Sequence, residues 1–391
     1  MKPGFYLLAA AISTFAGHDI ASGQPGAATP GAEVRCTRVE SGSQGPCSAN
    51  EYLLRRLERE GLGAALAALD SLAARDPEVR RLGHAYAHSI GIAAYEGTGS
   101  IGATFGRCTP VFQSGCYHGV VQAYFLARGG SPEARVDVEV VNGLCAEQRD
   151  DVSLRWHLFQ CAHGLGHGLM MATGNHLPSA LEACDLVEDP WEREVCYSAV
   201  FMENVVQATA GDGALGRPGA SAHVHVAPPV GAGDFPPLKR EAPLYPCTVL
   251  EERYLGACYE MQTSAILNLN GFDVAAAARA CPHAPEPFRP TCFRSLGRDI
   301  SALTVQNHRK AIALCAVVPD EYEPFCHLGY AKNLVDLTAE PAHGFAFCRL
   351  LQQPDSKRVC YTGMGEELWV LEDDVAARAA ACEAAEAEYV A

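Results

Sequence analysis

Several familiar catalytic signatures are missing from this chain. It holds no GxSxG, HExxH, phosphate-cradling glycine loop or strand-following GxGxxG, and its GLGHG and GDGALG pieces are too generic to replace them. CxxC and CxxCH are missing too, which argues against thioredoxin-type redox chemistry, zinc ribbons and c-type haem attachment. Positive charge is scarce: 30 Lys and Arg face 46 Asp and Glu, and the net charge of −16 argues against nucleic acid or anionic lipid as partner. Long apolar runs are also lacking. FYLLAAAISTFAG (5–17) is too short to span a bilayer, and behind Met1-Lys2 it matches the hydrophobic core of a signal peptide over residues 1–23. Cleavage after Ala16 or near Ala21–Gly23 satisfies the small-residue rule, so the mature chain is expected to be secreted or periplasmic with no membrane span.

Cysteine, by contrast, is abundant: 17 residues, which in an exported chain implies disulfides. Their spacing contains a repeat. Cys258, Cys292, Cys326 and Cys360 are 34 residues apart, and the frame runs back through Cys196, Cys161, Cys116, Leu82 and Cys47, giving about nine units. The frame pairs Cys36–Cys47, Cys108–Cys116, Cys145–Cys161, Cys184–Cys196, Cys247–Cys258, Cys281–Cys292, Cys315–Cys326 and Cys348–Cys360, and leaves Cys382 as a free thiol. The unit around Leu82 lacks both cysteines at once, as pairing within a unit predicts.

Counting the second cysteine as position 0, positions +4 and +8 are mostly apolar (Leu165/Leu169, Leu296/Ile300, Tyr330/Leu334, Met364/Leu368), and +1 is usually aromatic. Those offsets share one side of a helix. Alanine-rich segments such as DVAAAARAC precede the first cysteine, so each unit reads as an αα-hairpin with a disulfide clip. The expected fold class is all-α, an αα-hairpin solenoid with N-terminal repeats over 24–210 and C-terminal repeats over 247–391. Between them, 211–246 is rich in Gly, Pro and Ala and reads as a flexible insertion, in which His223 and His225 would share a side if extended.

RKAIALCAVVPDEYEPFCHLGYAKNL (309–334) and ARACPHAPEPFRPTCFRSLGRDI (278–300) are similar to cysteine-rich Sel1-like repeats, relatives of the tetratricopeptide repeat. The resemblance covers mainly residues 245–390. It implies a solenoid used as a binding surface, and no functional residue carries over from it.

Histidine is distributed unevenly on the same frame. Position +2 is His84, His118 and His163 in three consecutive units, then Ser, Glu, Arg, Leu and Thr; position +6 is His88, Gln122 and His167. At 100° per residue these positions point almost opposite to the core face, so the histidines are expected to line one surface of the solenoid. Pairs at i, i+4 can chelate a transition metal, here copper, iron or zinc, with Gln122, Glu203, Asn204, His223 or His225 as an additional ligand or supporting partner. One ion at His163/His167 plus His118, or two ions near His118, are both open. So are hydrogen bonding between duplicated histidines, a pH-responsive patch and an organic-ligand pocket near Tyr86, Tyr117 and Tyr124. His157, His176, His308 and His327 lack partners at ligand spacing, so core or surface placement is their default. Small residues at +3 and +7, such as Gly164 and Gly168, suit close helix packing. Two functions follow: a metal-binding protein or metal-dependent enzyme, with oxidoreductase ahead of hydrolase, or a scaffold holding a protein partner on the solenoid surface without metal.

Overall fold

The 3.6-residue spacing of apolar positions after each second cysteine is realised as a series of helices. The computed structural model describes residues 48–76, 79–80, 82–112, 114–128, 136–150, 155–209, 233–304, 306–338 and 340–389, and the backbone of 35–37 and 44–46. Helices α1 (Ala49–Glu60) and α2 (Leu62–Ala73) lead to α3 (Gly83–Thr98), α4 (Ile101–Phe105) and α5 (Gly115–Arg128). Next come α6 (Val138–Gly143), α7 (Ala146–Arg149), α8 (Arg155–Ala172), α9 (Leu177–Cys184) and α10 (Pro190–Thr209). Longer and shorter helices then alternate: α11 (Leu255–Leu269), α12 (Val274–Ala280), α13 (Arg289–Leu303), α14 (His308–Cys315), α15 (Glu323–Thr338), α16 (Pro341–Leu350), α17 (Pro354–Leu371) and α18 (Val375–Cys382). The all-helical expectation needs one small amendment, an antiparallel ribbon of β1 (Arg35–Thr37) and β2 (Gln44–Pro46) ahead of α1.

Local chemistry sets the helix ends. Asp137, Asp273, Asn307 and Asp374 accept from first-turn amides of α6, α12, α14 and α18, and the His176 imidazole does so for α9. Such a cap satisfies a donor the helix leaves unpaired and contributes about 1 kcal/mol. Proline opens α10, α16 and α17, where its missing N–H costs nothing.

Seven disulfides join the pairs read from the cysteine frame, from Cys108–Cys116 to Cys348–Cys360, with Cα separations of 5.6–5.9 Å. The eighth expected pair, Cys36–Cys47, cannot be placed, because the Cys36 side chain and Cys47 lie outside the described residues, as do the signal-peptide segment 1–23 and His223 and His225. Cys382 is unpaired and half-buried. The predicted core positions are filled as expected: Leu165, Leu169, Leu296, Ile300, Tyr330, Leu334, Met364 and Leu368 are buried, as are Tyr117, Tyr197, Tyr259, Phe293 and Tyr361.

The long helices α3, α5, α8, α10, α11, α13, α15 and α17 lie side by side in chain order, each against the next. The row also touches itself. α17 meets α8, where Arg155 pairs with Asp373 at 3.2 Å and its guanidinium sits 4.1 Å over Trp369. The expected flexible insertion is described from residue 233 on, and that part is held in place. Asn204 Nδ2 donates to the Pro237 carbonyl at 3.0 Å, and Gln262 Nε2 donates to the carbonyls of Pro243 and Tyr245 at 2.7 and 2.9 Å. Side-chain amides thus satisfy backbone that its prolines keep out of a helix. No helix among the described residues is long and apolar enough to cross a membrane.

Between α13 and α15 the backbones touch. A Cβ at Gly297 would run into the Cys326 carbonyl, and one at Gly329 into the Arg294 carbonyl. Gly297→Ala should therefore lower stability in urea unfolding by roughly 1–3 kcal/mol. Gly365→Ala, at an exposed helical glycine with nothing within 4 Å, should be neutral or mildly stabilising; equal effects would contradict the close contact. Peptide mapping of the oxidised chain should recover these sequential pairs and alkylate Cys382 alone. A cross-link between units, such as Cys145–Cys184, would overturn the clipped-hairpin arrangement.

Candidate metal centre

Three adjacent long helices carry the histidines: His84 and His88 on α3, His118 and Gln122 on α5, His163 and His167 on α8. Their helical angle predicted an exposed surface, and the structure corrects this. His118, His163 and His167 are only 3, 7 and 6 % exposed, while His84 and His88 are half-buried. The reason is the glycines. A Cβ at Gly119 would collide with the His88 carbonyl, and one at Gly115 would stand 2.7 Å from the His84 carbonyl oxygen. At Gly164 a Cβ would come 2.8 Å from the Val121 side chain. With these side chains deleted, α3, α5 and α8 close up, and their imidazoles fill the space between them.

His118 is the centre of the group. Its ring centroid lies 4.7 Å from His167, 5.0 Å from His163, 5.4 Å from His84 and 6.3 Å from His88. One nitrogen from each of His118, His163 and His167 lies within 4.8 Å of the other two, the one such group of His, Cys, Asp or Glu among the described residues. Nitrogens about 2.0–2.1 Å from one tetrahedral ion stand roughly 3.4 Å apart, so small side-chain rotations complete the set.

Hydrogen bonding orients the rings. His167 Nδ1 is 2.7 Å from Glu203 Oε2, and because a carboxylate only accepts, Nδ1 carries a proton, which leaves Nε2 as the nitrogen able to ligate a metal. That is how a metal-ligating histidine is usually supported. Gln207 Nε2 donates to the other Glu203 oxygen. Burial pushes the Glu203 carboxyl up, but the His167 hydrogen bond and charge outweigh it and hold the group at about 2. His84 Nδ1 donates to the Phe112 carbonyl at 2.9 Å. Both ring nitrogens of His118, and His167 Nε2, are buried without a hydrogen-bond partner. Burial and neighbouring imidazoles push His118 and His163 well below the ordinary histidine value, and burial also lowers His84 against the upward pull of the Phe112 carbonyl. Burial thus favours the neutral imidazole at His84, His118 and His163.

The other proposed helpers separate. Glu203 joins the cluster. Gln122 Nε2 instead donates to Met171 Sδ at 3.3 Å, leaving its carbonyl oxygen buried and unpartnered. Asn204 uses its amide to hold the 233–246 segment. Tyr86 and Tyr124 pack against the core. His157 and His308 are partly buried, and His327, 3 % exposed, meets Ser356 Oγ at 3.1 Å through Nδ1. An aromatic wall, absent from the expected site, stands beside His163. Phe159 stacks on His163 at 5.8 Å and on Trp156 at 5.7 Å, and it contacts Trp191, which meets Trp369 at 5.6 Å. These are all three tryptophans of the chain. A signal was available: Trp156, Phe159, His163 and His167 fall three or four residues apart, on one face of α8.

The C-terminal units place a different chemistry at the corresponding positions. Glu260 pairs with Arg294 at 3.1 Å, Arg298 with Asp299 at 3.0 Å and Lys332 with Glu367 at 2.8 Å. No family model matches this chain, and no characterised protein or solved structure was found to be similar to it.

The lowered histidines make stability pH-dependent. Below the ordinary value of 6.5 the unfolded chain protonates His84, His118 and His163, while the folded chain keeps them neutral to lower pH. The unfolded state then binds more protons, so their contribution is intact above pH 6.5 and declines below it, by up to about 1.4 kcal/mol per pH unit per histidine. Glu203 adds its loss only between 4.5 and about 2. In metal-free protein, urea unfolding near about pH 7.5 and about pH 5.5 should show a smaller acid loss for His118→Gln than for the unaltered chain; parallel losses would rule this out.

Proposed function

We propose that the chain is an exported αα-hairpin solenoid, similar to Sel1-like repeats, built around a transition-metal centre held by His118, His163 and His167. The observation that carries this reading is the trio of buried imidazoles within 4.8 Å, with unpartnered nitrogens on His118 and His167 and a carboxylate bonded behind His167. An unpartnered buried polar group costs about 1–3 kcal/mol, and coordination removes that cost. Three imidazoles and no thiolate suit copper, iron or zinc and do not suit calcium or magnesium. Among the described residues every cysteine except Cys382 is in a disulfide, which together with the leader-like N-terminus supports an exported location.

Three protein ligands leave a coordination position for a substrate, as catalytic sites require. A bound transition metal would supply Lewis acidity and, for copper or iron, electron transfer. The surroundings favour oxidoreductase over hydrolase chemistry. A carboxylate beside the metal would serve as general base for hydrolysis, yet Glu203 is already engaged by His167 and Gln207. The wall beside His163 is aromatic.

Metal analysis of the oxidised, purified chain after mild dialysis tests the reading. At least one copper, iron or zinc per chain is expected, with loss in the His163→Ala/His167→Ala variant of unchanged helical circular dichroism. Metal-free protein after loading with each ion would remove the metal reading and leave the partner-binding scaffold. Zinc alone would exclude electron transfer.

A further inference from the structure

A single ion at His118, His163 and His167 leaves one feature of the cluster unexplained. A neutral imidazole has one N–H and one lone pair. Both nitrogens of His118 are buried without a hydrogen-bond partner. One ion takes the lone pair and leaves the opposite N–H buried and unpaired. Something on the far side of that ring has to meet it.

What lies there is a second histidine pair. α5 packs between α3 and α8, so His118 has His163 and His167 from α8 on one flank and His84 and His88 from α3 on the other. With metal–nitrogen bonds of about 2 Å, two imidazoles on one tetrahedral ion hold their centroids roughly 5 Å apart. The His84–His88 separation is 5.8 Å and the His84–His118 separation 5.4 Å, comparable with 5.0 Å for His163–His167. His88 and His118 are 6.3 Å apart, the widest gap to close. His84 already spends Nδ1 on the Phe112 carbonyl, so its Nε2 presents a lone pair. Glu203 lies near enough to both His84 and His88 to interact electrostatically with them, and its negative charge offsets part of the charge of two cations.

We propose that His118 bridges two transition-metal ions, one held with His163 and His167 and the other with His84 and His88, through its two ring nitrogens as an imidazolate. The balance is simple. Binding of the second divalent ion breaks the remaining His118 N–H bond, its electron pair becomes the new metal–nitrogen bond, and one proton leaves to solvent; no oxidant or reductant is needed. The inference rests on the metal reading at His118, His163 and His167 and adds a second, coupled position to it.

Copper(II) is the probe, because two copper ions joined by an imidazolate couple their spins. The full oxidised chain loaded with copper(II) should bind two ions, and its low-temperature paramagnetic resonance signal should integrate to far fewer than two spins. His84→Gln/His88→Gln should bind one copper with a full one-spin signal. His118→Gln should show every bound copper as an uncoupled spin. If it fails to fold by circular dichroism, the spin count of the unaltered chain and the His84/His88 variant decide the matter. Two copper ions with two full spins would overturn the bridge. One copper per chain, lost in His163→Ala/His167→Ala, would overturn the second position while leaving the single centre standing. No bound copper, zinc or iron would remove both.

Discussion

Backbone contact between neighbouring long helices is the constraint on which the rest depends. Where most helix pairs are held apart by side chains, α3, α5, α8 and α10 meet through glycine. A Cβ at Gly91 or Gly166 would collide with the carbonyl of Cys116 or Cys196. Both carbonyls belong to disulfide cysteines that clip the incoming helix to its predecessor. Clip and glycine act together: the disulfide restricts where a helix starts, and the glycine decides how near its neighbour can come. Side chains ordinarily hold helices 8–10 Å apart, and these glycines remove them where α3, α5 and α8 meet.

That closeness has an electrostatic consequence. Five imidazoles around one point cannot all be charged, and burial keeps the central ones neutral by pushing His118 and His163 far below their ordinary value. Glu203 takes the opposite course and stays ionised because His167 donates to it. A partly buried carboxylate therefore stands behind a group of largely uncharged imidazoles. The same positions in the C-terminal units hold salt bridges such as Glu260–Arg294 instead. The contrast sets the histidine-bearing helices apart from the C-terminal ones. The contact of α8 with α17 links the two, since Arg155 and Trp369 meet at the end of the helix that carries His163 and His167.

Much of this was legible in the residues. The cysteine frame located the hairpins and seven of their disulfides, because a covalent pair within a repeat leaves its spacing in the chain. The period of apolar residues identified Leu165, Leu169 and their counterparts as core, because a helix buries one face whatever its neighbours are. Glu203 was marked as a histidine partner by its nearness in the frame. Asn204 is equally near in the frame and Gln122 fills the sixth place of the stripe, yet both turn elsewhere, since position in the frame does not say which way an amide turns. Trp156 and Phe159 carry a signal in their spacing on α8, but Trp191 and Trp369 join the wall from two other helices, which spacing along one helix does not reveal.

The sequence by itself determined the local facts: where helices begin and end, which cysteines pair, which side chains face the core, and that histidine is concentrated in three neighbouring units. Each depends on interactions a few residues long, within one turn or one hairpin. Only the tertiary structure decided that the histidines are buried rather than exposed, that His118 stands between two pairs, and that Glu203 is tied to His167. Those depend on how closely separate helices approach. A helical wheel gives the angle at which a side chain leaves its helix and is silent about the distance to the next helix, and here that distance turns a surface into a site.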